Sequence, residues 1–517
     1  MTPEANRAAR PARLDPALLR LAGVVVVGAL ASLLDTTILS VAIDGLGRRF
    51  DAPLATVQWV ATAYLLAMAM AIPLTGWSVQ RFGAKAMWMS ALSVFVVASV
   101  LCGLAWSIES LIAFRVMQGL AGGTILPLAQ TILAQAAGPS RFGRVMALVA
   151  IPGQLAPIIG PILGGVLIDG AGWRWVFFVN VPVVGLALLL AWRAMPSGRP
   201  DGRPPLDVLG LVLLSPGLAA LVYGLAQIGG EDGAEGRGLG STVAIISLVA
   251  GVSLVAAFAW HALRTGTASL LDLRLFRHRS YALVATLTFL SGASIFGPMF
   301  LLPLYYQQVH DLTTVETGLM LAPQGVGTAL SLLIAGRLTD HIGARPLVLV
   351  GLGVTVAATI PFALSGTGDL LQIITLLVRG MGLGMAGVAM MAGAYHGLRS
   401  DQIPGATGLT SVVQRVGGSL GTAVLAVVLQ RVTAGNGTPA ALEGAFGETF
   451  WWTVGFALIA LIPAWLLPRS RPAPADRSAG RDQSVGRGPG STQSVHVTGS
   501  SRRGRPRYRG RRGGPRR

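Results

Sequence analysis

The chain has 517 residues, 52% hydrophobic and only 12% charged, which is too few charges to clothe a soluble globule of this size, so lipid is its solvent. The net charge of +18 does not mark a nucleic-acid binder, because residues 468–517 carry +12 of it, fourteen arginines against Asp476 and Asp482. A tail so rich in Gly, Ser, Pro and Arg builds no core and predicts a disordered cytoplasmic segment open to anionic lipid.

From the N-terminus, residues 1–17 form a short cytoplasmic segment. The first apolar run is too long for a signal-peptide core, lacks a small-residue cleavage site, and reads as the first span. Crossing a hydrocarbon layer of roughly 30 Å takes about 20 helical residues. Runs of that length lie near 18–44, 55–77, 86–106, 109–136, 141–168, 173–195, 207–228, 241–263, 281–307, 316–340, 346–365, 369–398, 404–430 and 447–467. The chain is therefore expected to be an all-α integral membrane protein with fourteen transmembrane helices and no soluble domain between them. The single cysteine, Cys102, excludes disulfides, and the six histidines are scattered, so no metal site is expected.

Lys and Arg accumulate on the cytoplasmic side of span ends. With the N-terminus inside, the inner segments before the tail hold eighteen Lys/Arg against seven Asp/Glu, and the outer segments five against twelve. Fourteen is even, so both termini are cytoplasmic.

Two motifs recur along the chain. GWSVQRFGAK (Gly76 to Lys85) is echoed by GRLTDHIGAR (Gly336 to Arg345) 260 residues later, and Arg115 in LIAFRVMQGLAGG by Arg379 in TLLVRGMGLGMAG after 264. Such offsets imply a duplicated unit of six spans, 18–195 and 281–467, with two extra helices and linkers in 196–280.

Five stretches together resemble one family: LDTTILSVAI (Leu34 to Ile43), GWSVQRFGAK, RVMQG (Arg115 to Gly119), GPILGG (Gly160 to Gly165) and WRWVFFVNVP (Trp173 to Pro182). Over roughly residues 20–467 the chain resembles the major facilitator superfamily, specifically its fourteen-span drug:proton antiporters of the EmrB/QacA type. The resemblance implies a 6+2+6 fold, with two six-helix bundles around a cavity that opens alternately to either side. It further implies export of small molecules from a bacterium across its plasma membrane, with the proton gradient as energy source and no other cofactor. The residues it marks as a conformational motif are Gly76, Arg81 and Gly83, with Gly336, Asp340 and Gly343 in the second copy. Gln80 stands where the family usually has an acid, so the first copy can only hydrogen-bond there.

Asp35 is the one carboxylate placed deep inside a span. Inserting a charged Asp costs on the order of 2.5–3.5 kcal/mol, so such an acid lines a polar cavity or has a partner. It is either the coupling-proton site or a permanently paired packing charge, and the resemblance favours the first. Arg115 is the natural partner because arginine stays protonated when buried, with Gln118 one turn on. Arg415 has no acidic neighbour in its own half and is open to substrate, backbone carbonyls or Asp35. Gly153, Gly160, Pro161, Gly164 and Gly165 in the fifth span permit close helix approach and a bend; the resemblance makes them an antiporter hinge and a seal between the halves. His261 and His396 sit near span ends as interfacial residues. Tyr64, Phe296, Phe300, Tyr305 and Tyr306 are candidates for an apolar substrate cavity.

No Walker A sequence is present, so ATP is not expected to drive transport directly. A single intramembrane acid points to neutral or singly charged amphipathic cargo, such as drugs or antibiotics. The competing reading on the same scaffold is export of a native metabolite, siderophore or lipid. A membrane enzyme would need a clustered nucleophile, acid/base pair or metal set, which these residues do not supply.

Overall fold

The computed structural model describes residues 15–137, 142–196, 204–229, 242–266, 269–364, 367–395, 402–433 and 439–467. In chain order the helices are α1 (Pro16–Phe50), α2 (Leu54–Ala71), α3 (Leu74–Phe82), α4 (Ala84–Gly103), α5 (Ile108–Ala137), α6 (Phe142–Ala171), α7 (Trp175–Phe178) and α8 (Asn180–Ala194). They continue with α9 (Val208–Gly229), α10 (Thr242–Thr265), α11 (Arg279–Gln308), α12 (Thr314–Ile342), α13 (Ala344–Ala363), α14 (Asp369–Tyr395), α15 (Ile403–Thr433) and α16 (Pro439–Leu466). A short 3₁₀ helix, Leu273–Arg277, precedes α11.

Helix ends follow local chemistry. Asp15 caps α1 by accepting from the Ala17 amide, with Pro16 at the first helical position, where its missing N–H costs nothing. Thr313 and Glu316 form a reciprocal capping box at the start of α12. Gly83 and Gly343 end α3 and α12 at φ of 89° and 87°, a region side chains avoid. That conformation is why both repeat motifs need glycine there.

Twelve helices, counting α7 with α8 as one, are long and apolar enough to cross a membrane, and α2 with α3, bent by 55°, makes a thirteenth. The bend falls at Pro73, which has no amide to donate. Helix α6, at 30 residues, is long enough for another, so the expected fourteen spans are compatible with the structure. The second span differs from its expected end: it runs past residue 77 through α3 to Phe82.

Within the first half α1 packs on α6 and α8, α2 on α5, and α4 on α5 and α8. The same pairs recur in the second half, with α11 on α15 and α16, α12 on α14, and α13 on α14 and α16. Between the halves, α6 lies on α12 along one seam and α3 meets α15 along the other. Helix α9 fills the second seam by contacting both α2 and α15, and α10 packs on α9. Ser215 donates to the Met70 carbonyl and the Trp77 indole to the Pro204 carbonyl across this joint.

The apolar core divides by membrane end. At the end bearing the Gly83 and Gly343 turns, the cluster around Trp88, Ala137 and Met195 takes in Met391 and Ile403 from the other half. A second cluster there joins Ile72 to Ala406 and Leu409. At the opposite end, the cluster around Leu46 and Phe177 and the one around Tyr305 and Phe446 each draw on one half alone. The halves are thus sealed together at the turn-bearing end.

A sealed carboxylate and its arginine

Asp35 lies mid-way along α1, 2% exposed, opposite Arg115 on α5, 1% exposed. An Arg115 terminal nitrogen donates to Asp35 Oδ2 at 2.6 Å, a charge-assisted bond between two groups removed from solvent. Asp35 Oδ1 accepts from Gln118 Nε2 and from Asn180 Nδ2, each at 2.9 Å. Gln118 also donates to Ser99 Oγ at 2.8 Å. Three helices besides α1 therefore supply the polar shell: α4, α5 and α8. Among the described residues Asp35 is the one buried acid.

Arg115 is held independently of the acid. Its Nε donates to the Val60 carbonyl at 3.1 Å, and the nitrogen bound to Asp35 also donates to Gln118 Oε1 at 2.7 Å. The Tyr64 ring covers the guanidinium at 4.0 Å, a cation–π contact that strengthens when desolvated.

The other half carries a counterpart without the acid. Gly119 and Gly123 pack against the carbonyls of Tyr64 and Met68, and Gly380 and Gly384 against those of Gln324 and Thr328. This register relates α5 to α14 by 261 residues, so Arg379 occupies the place of Gln118. The 264-residue echo of Arg115 is therefore one helical turn out of structural register. Arg379 donates to Thr359 Oγ1 at 3.3 Å, as Gln118 donates to Ser99, and to Gln324 Oε1 at 2.5 Å. Gly160 packs on Thr37 and Gly418 on Phe296, which aligns Asp35 with Ser294. Ser294 accepts through its carbonyl, at 3.2 Å from an Arg379 nitrogen, and carries a neutral hydroxyl where Asp35 has its carboxylate. The duplicated scaffold thus holds a buried ion pair in one half and a buried arginine on neutral acceptors in the other.

The paired turns perform one task twice. Lys85, just after Gly83, donates to the carbonyls of Trp192 and Met195 at 2.9 and 2.8 Å, closing the last turn of α8. Arg345, just after Gly343, lies over the Trp465 ring at 5.5 Å near the end of α16. Each basic residue ties the turn to the sixth helix of its own half.

A model of the Major Facilitator Superfamily matches residues 25–422. The chain belongs to that superfamily. A Multidrug resistance protein B homolog of Mycobacterium tuberculosis is 40% identical over 433 residues, covering 83% of this chain and 79% of the relative. Multidrug export protein EmrB of Haemophilus influenzae is 32% identical over 395 residues, 76% of each chain. Among solved structures, the human organic anion transporter MFSD10 (TETRAN) superposes with a TM-score of 0.63 at 17% identity, over 87% of this chain and all of that one. That likeness supports the fold alone.

On this superfamily scaffold the remaining sequence candidates fall as follows. Gly160 packs on Thr37 and Gly164 on the Ile38 carbonyl, so these two glycines form the strip on which α1 lies, next to Asp35. Thr37 Oγ1 also donates to the Ala156 carbonyl at 3.1 Å. These two glycines meet a helix of their own half, while α6 itself forms the seam with α12 of the other half. Gly165 faces no atom within 4 Å. Gly153 and Pro161 lie on α6, but their surroundings, like the side chain of Asp340 and the whole of His396, fall outside the described residues. Gly76 and Gly336 are buried and Arg81 stands in the last turn of α3, while Gln80 is exposed.

Of the cavity candidates, Tyr64 serves Arg115. Tyr305 and Tyr306 are buried in an aromatic cluster with Phe362, Phe446 and Phe450. Phe296 is 39% exposed and lies over Gly418; Phe300 is half-buried. Arg415, half-buried on α15, comes from the opposite half to within electrostatic range of the Tyr64 phenol.

The sequence reading missed Asn180 and Ser99. Asn180 sits inside WRWVFFVNVP, and an amide within an apolar run was the available signal. It also missed Asp207, whose carboxylate accepts from His261 at 2.8 Å and from the Gly210 and Leu270 amides at 2.8 and 3.1 Å. Burial raises the Asp207 carboxyl, but these amides and His261 outweigh it and hold it below the usual carboxylate range.

Proposed function

We propose that this protein exports small amphipathic organic molecules, drugs and antibiotics among them, across the bacterial plasma membrane in exchange for protons, and that Asp35 takes and gives up the proton. The observation that carries this reading is the sealed Asp35–Arg115 pair, because an intramembrane carboxylate facing a fixed cation is a two-state element. Relatives named for multidrug resistance and export support the cargo class. Loop charges support both termini in the cytoplasm, which makes the turn-bearing end the cytoplasmic end.

In the closed arrangement described above, the cytoplasmic side is sealed. A proton arriving from outside neutralises Asp35 and removes its ion pair, while Val60, Gln118 and Tyr64 keep Arg115 in position. The carboxyl is then free to shift with α1, which rides on the glycine strip of α6, and α6 itself forms one seam with α12. The reorientation of the halves is thereby biased by a single protonation. Release to the cytoplasm restores the pair, and the cargo leaves on the return. Each inward proton supplies about 2.3 kcal/mol per 100 mV of membrane potential. One buried acid favours neutral or singly charged cargo.

Efflux of a fluorescent amphipathic drug from proteoliposomes with an imposed pH gradient tests this. Asp35→Asn is expected to abolish gradient-driven efflux while leaving drug binding within a few-fold of wild type. Undiminished gradient-driven efflux would remove Asp35 from the proton pathway.

A further inference from the structure

Between the extra helices and the second half lies a cavity of about 240 Å³. Its walls come from α9, α10, α11 and α15, with Leu218, Phe258, Phe289, Val412 and Val416 among them, and every lining residue is apolar. A cavity without polar partners does not hold water, and one of roughly 150 Å³ already binds a small hydrocarbon. At the turn-bearing end Phe276 closes the wall and is itself 39% exposed.

The segment that carries Phe276 reads LRLFRHR, Leu273 to Arg279. Arg274, Arg277, His278 and Arg279 are all exposed beside it. The 3₁₀ helix is capped by Asp272, whose side chain accepts from the Arg274 amide. None of the three guanidiniums forms an ion pair with a described residue. Three tryptophans on separate helices, Trp192 of α8, Trp260 of α10 and Trp465 of α16, are each more than 60% exposed and have a basic partner: Lys85 at the Trp192 carbonyl, Arg264 over Trp260 and Arg345 over Trp465. Exposed tryptophans with basic partners mark the level of the lipid headgroups. Phe276 therefore stands between the apolar cavity and the depth where an acyl chain joins its phosphate, and the cationic rim stands where the phosphate would be.

We propose that this cavity binds one acyl chain of an anionic phospholipid whose headgroup is held by Arg274, Arg277 and Arg279. The lipid would wedge the extra helix pair against α11 and α15. Charge complementarity commits the site to an acidic headgroup, since zwitterionic lipids offer no net charge to three guanidiniums that pair with no described acid.

Photo-crosslinking of the full-length protein in mixed bilayers tests this, with phosphatidylglycerol or phosphatidylcholine carrying a diazirine in the acyl chain at equal abundance. Peptides spanning 214–221 and 409–416 are mapped by mass spectrometry. Labelling by phosphatidylglycerol is expected to exceed that by phosphatidylcholine by tenfold or more, with on the order of a hundredfold as the ceiling for three basic side chains at about 1 kcal/mol each. The triple variant Arg274→Gln, Arg277→Gln, Arg279→Gln should bring the two lipids to near parity without loss of labelling by phosphatidylcholine. Filling the cavity by Val412→Trp, or more gently by Leu218→Phe, should suppress labelling by both. Equal labelling by the two lipids in the wild type, or unchanged labelling in a filled variant that elutes as folded protein, would overturn the proposal. The readout is labelling, so it stands or falls independently of the transport reading.

Discussion

Arg115 is asked to do three things at once: pair with Asp35, donate to the Val60 carbonyl and lie flat under Tyr64. Only a planar, permanently charged group with several donors meets those demands. Arg115→Lys keeps the charge but loses the fork and the stacked face. We expect it to lower gradient-driven efflux tenfold or more in the proteoliposome assay, although the protein folds. Full activity in the lysine variant would mean that charge alone suffices. Asp35 and Arg115 were legible in the sequence because a charged residue inside an apolar run is conspicuous. Ser99 was not, since a lone serine in a membrane helix is ordinarily satisfied by its own backbone. Its bond from Gln118 is set by how α4 packs on α5, and Asn180 reaches the acid only because α8 packs on α1.

At the scale of helices, the duplicated turns and the glycine strip were readable as spacing, but their partners were not. Of the fifth-span residues expected as a hinge and a seal between the halves, Gly160 and Gly164 lie against α1, because four-residue spacing puts them on one face and α1 occupies it. The extra pair is fastened by Asp207, which joins the start of α9 to His261 near the end of α10 and to the Leu270 amide. Because the folded-state carboxyl is held low, its contribution to stability is present above the ordinary carboxylate pKa of about 3.9 and fades as pH falls through the lowered folded value. Asp207→Asn should therefore destabilise the protein by about 1–2 kcal/mol at neutral pH. In thermal unfolding in detergent, the gap to wild type should narrow once the pH falls below about 4. A gap independent of pH would assign the effect to lost shape and not to charge.

The whole molecule is sealed at one membrane end, where apolar clusters run from one half into the other. Across that seal a Cβ at Gly408 would lie 3.8 Å from the Ile72 carbonyl. Cysteines introduced as Ile72→Cys and Gly408→Cys in a Cys102→Ser background are accordingly expected to join as a disulfide under mild oxidation of the resting protein and to stop transport when joined. Failure of the pair to cross-link at any drug concentration or pH would show that this closed arrangement is not populated.

The sequence by itself determined the solvent, the expected number of spans, the twofold repeat and the two charged residues of the site. Each follows from composition or spacing along one chain: apolar length, charge at span ends, motif offsets, a charge where lipid forbids one. Tertiary structure decided what spacing cannot express. It set the register that pairs Arg379 with Gln118, the convergence of Ser99 and Asn180 on Asp35, and the burial of Tyr305 and Tyr306 among other aromatics. It also decided which end is closed and the apolar cavity beside the cationic rim. These depend on which faces of distant helices meet, and an apolar helix in lipid carries little mark of the face it buries, because its neighbours and its solvent are alike.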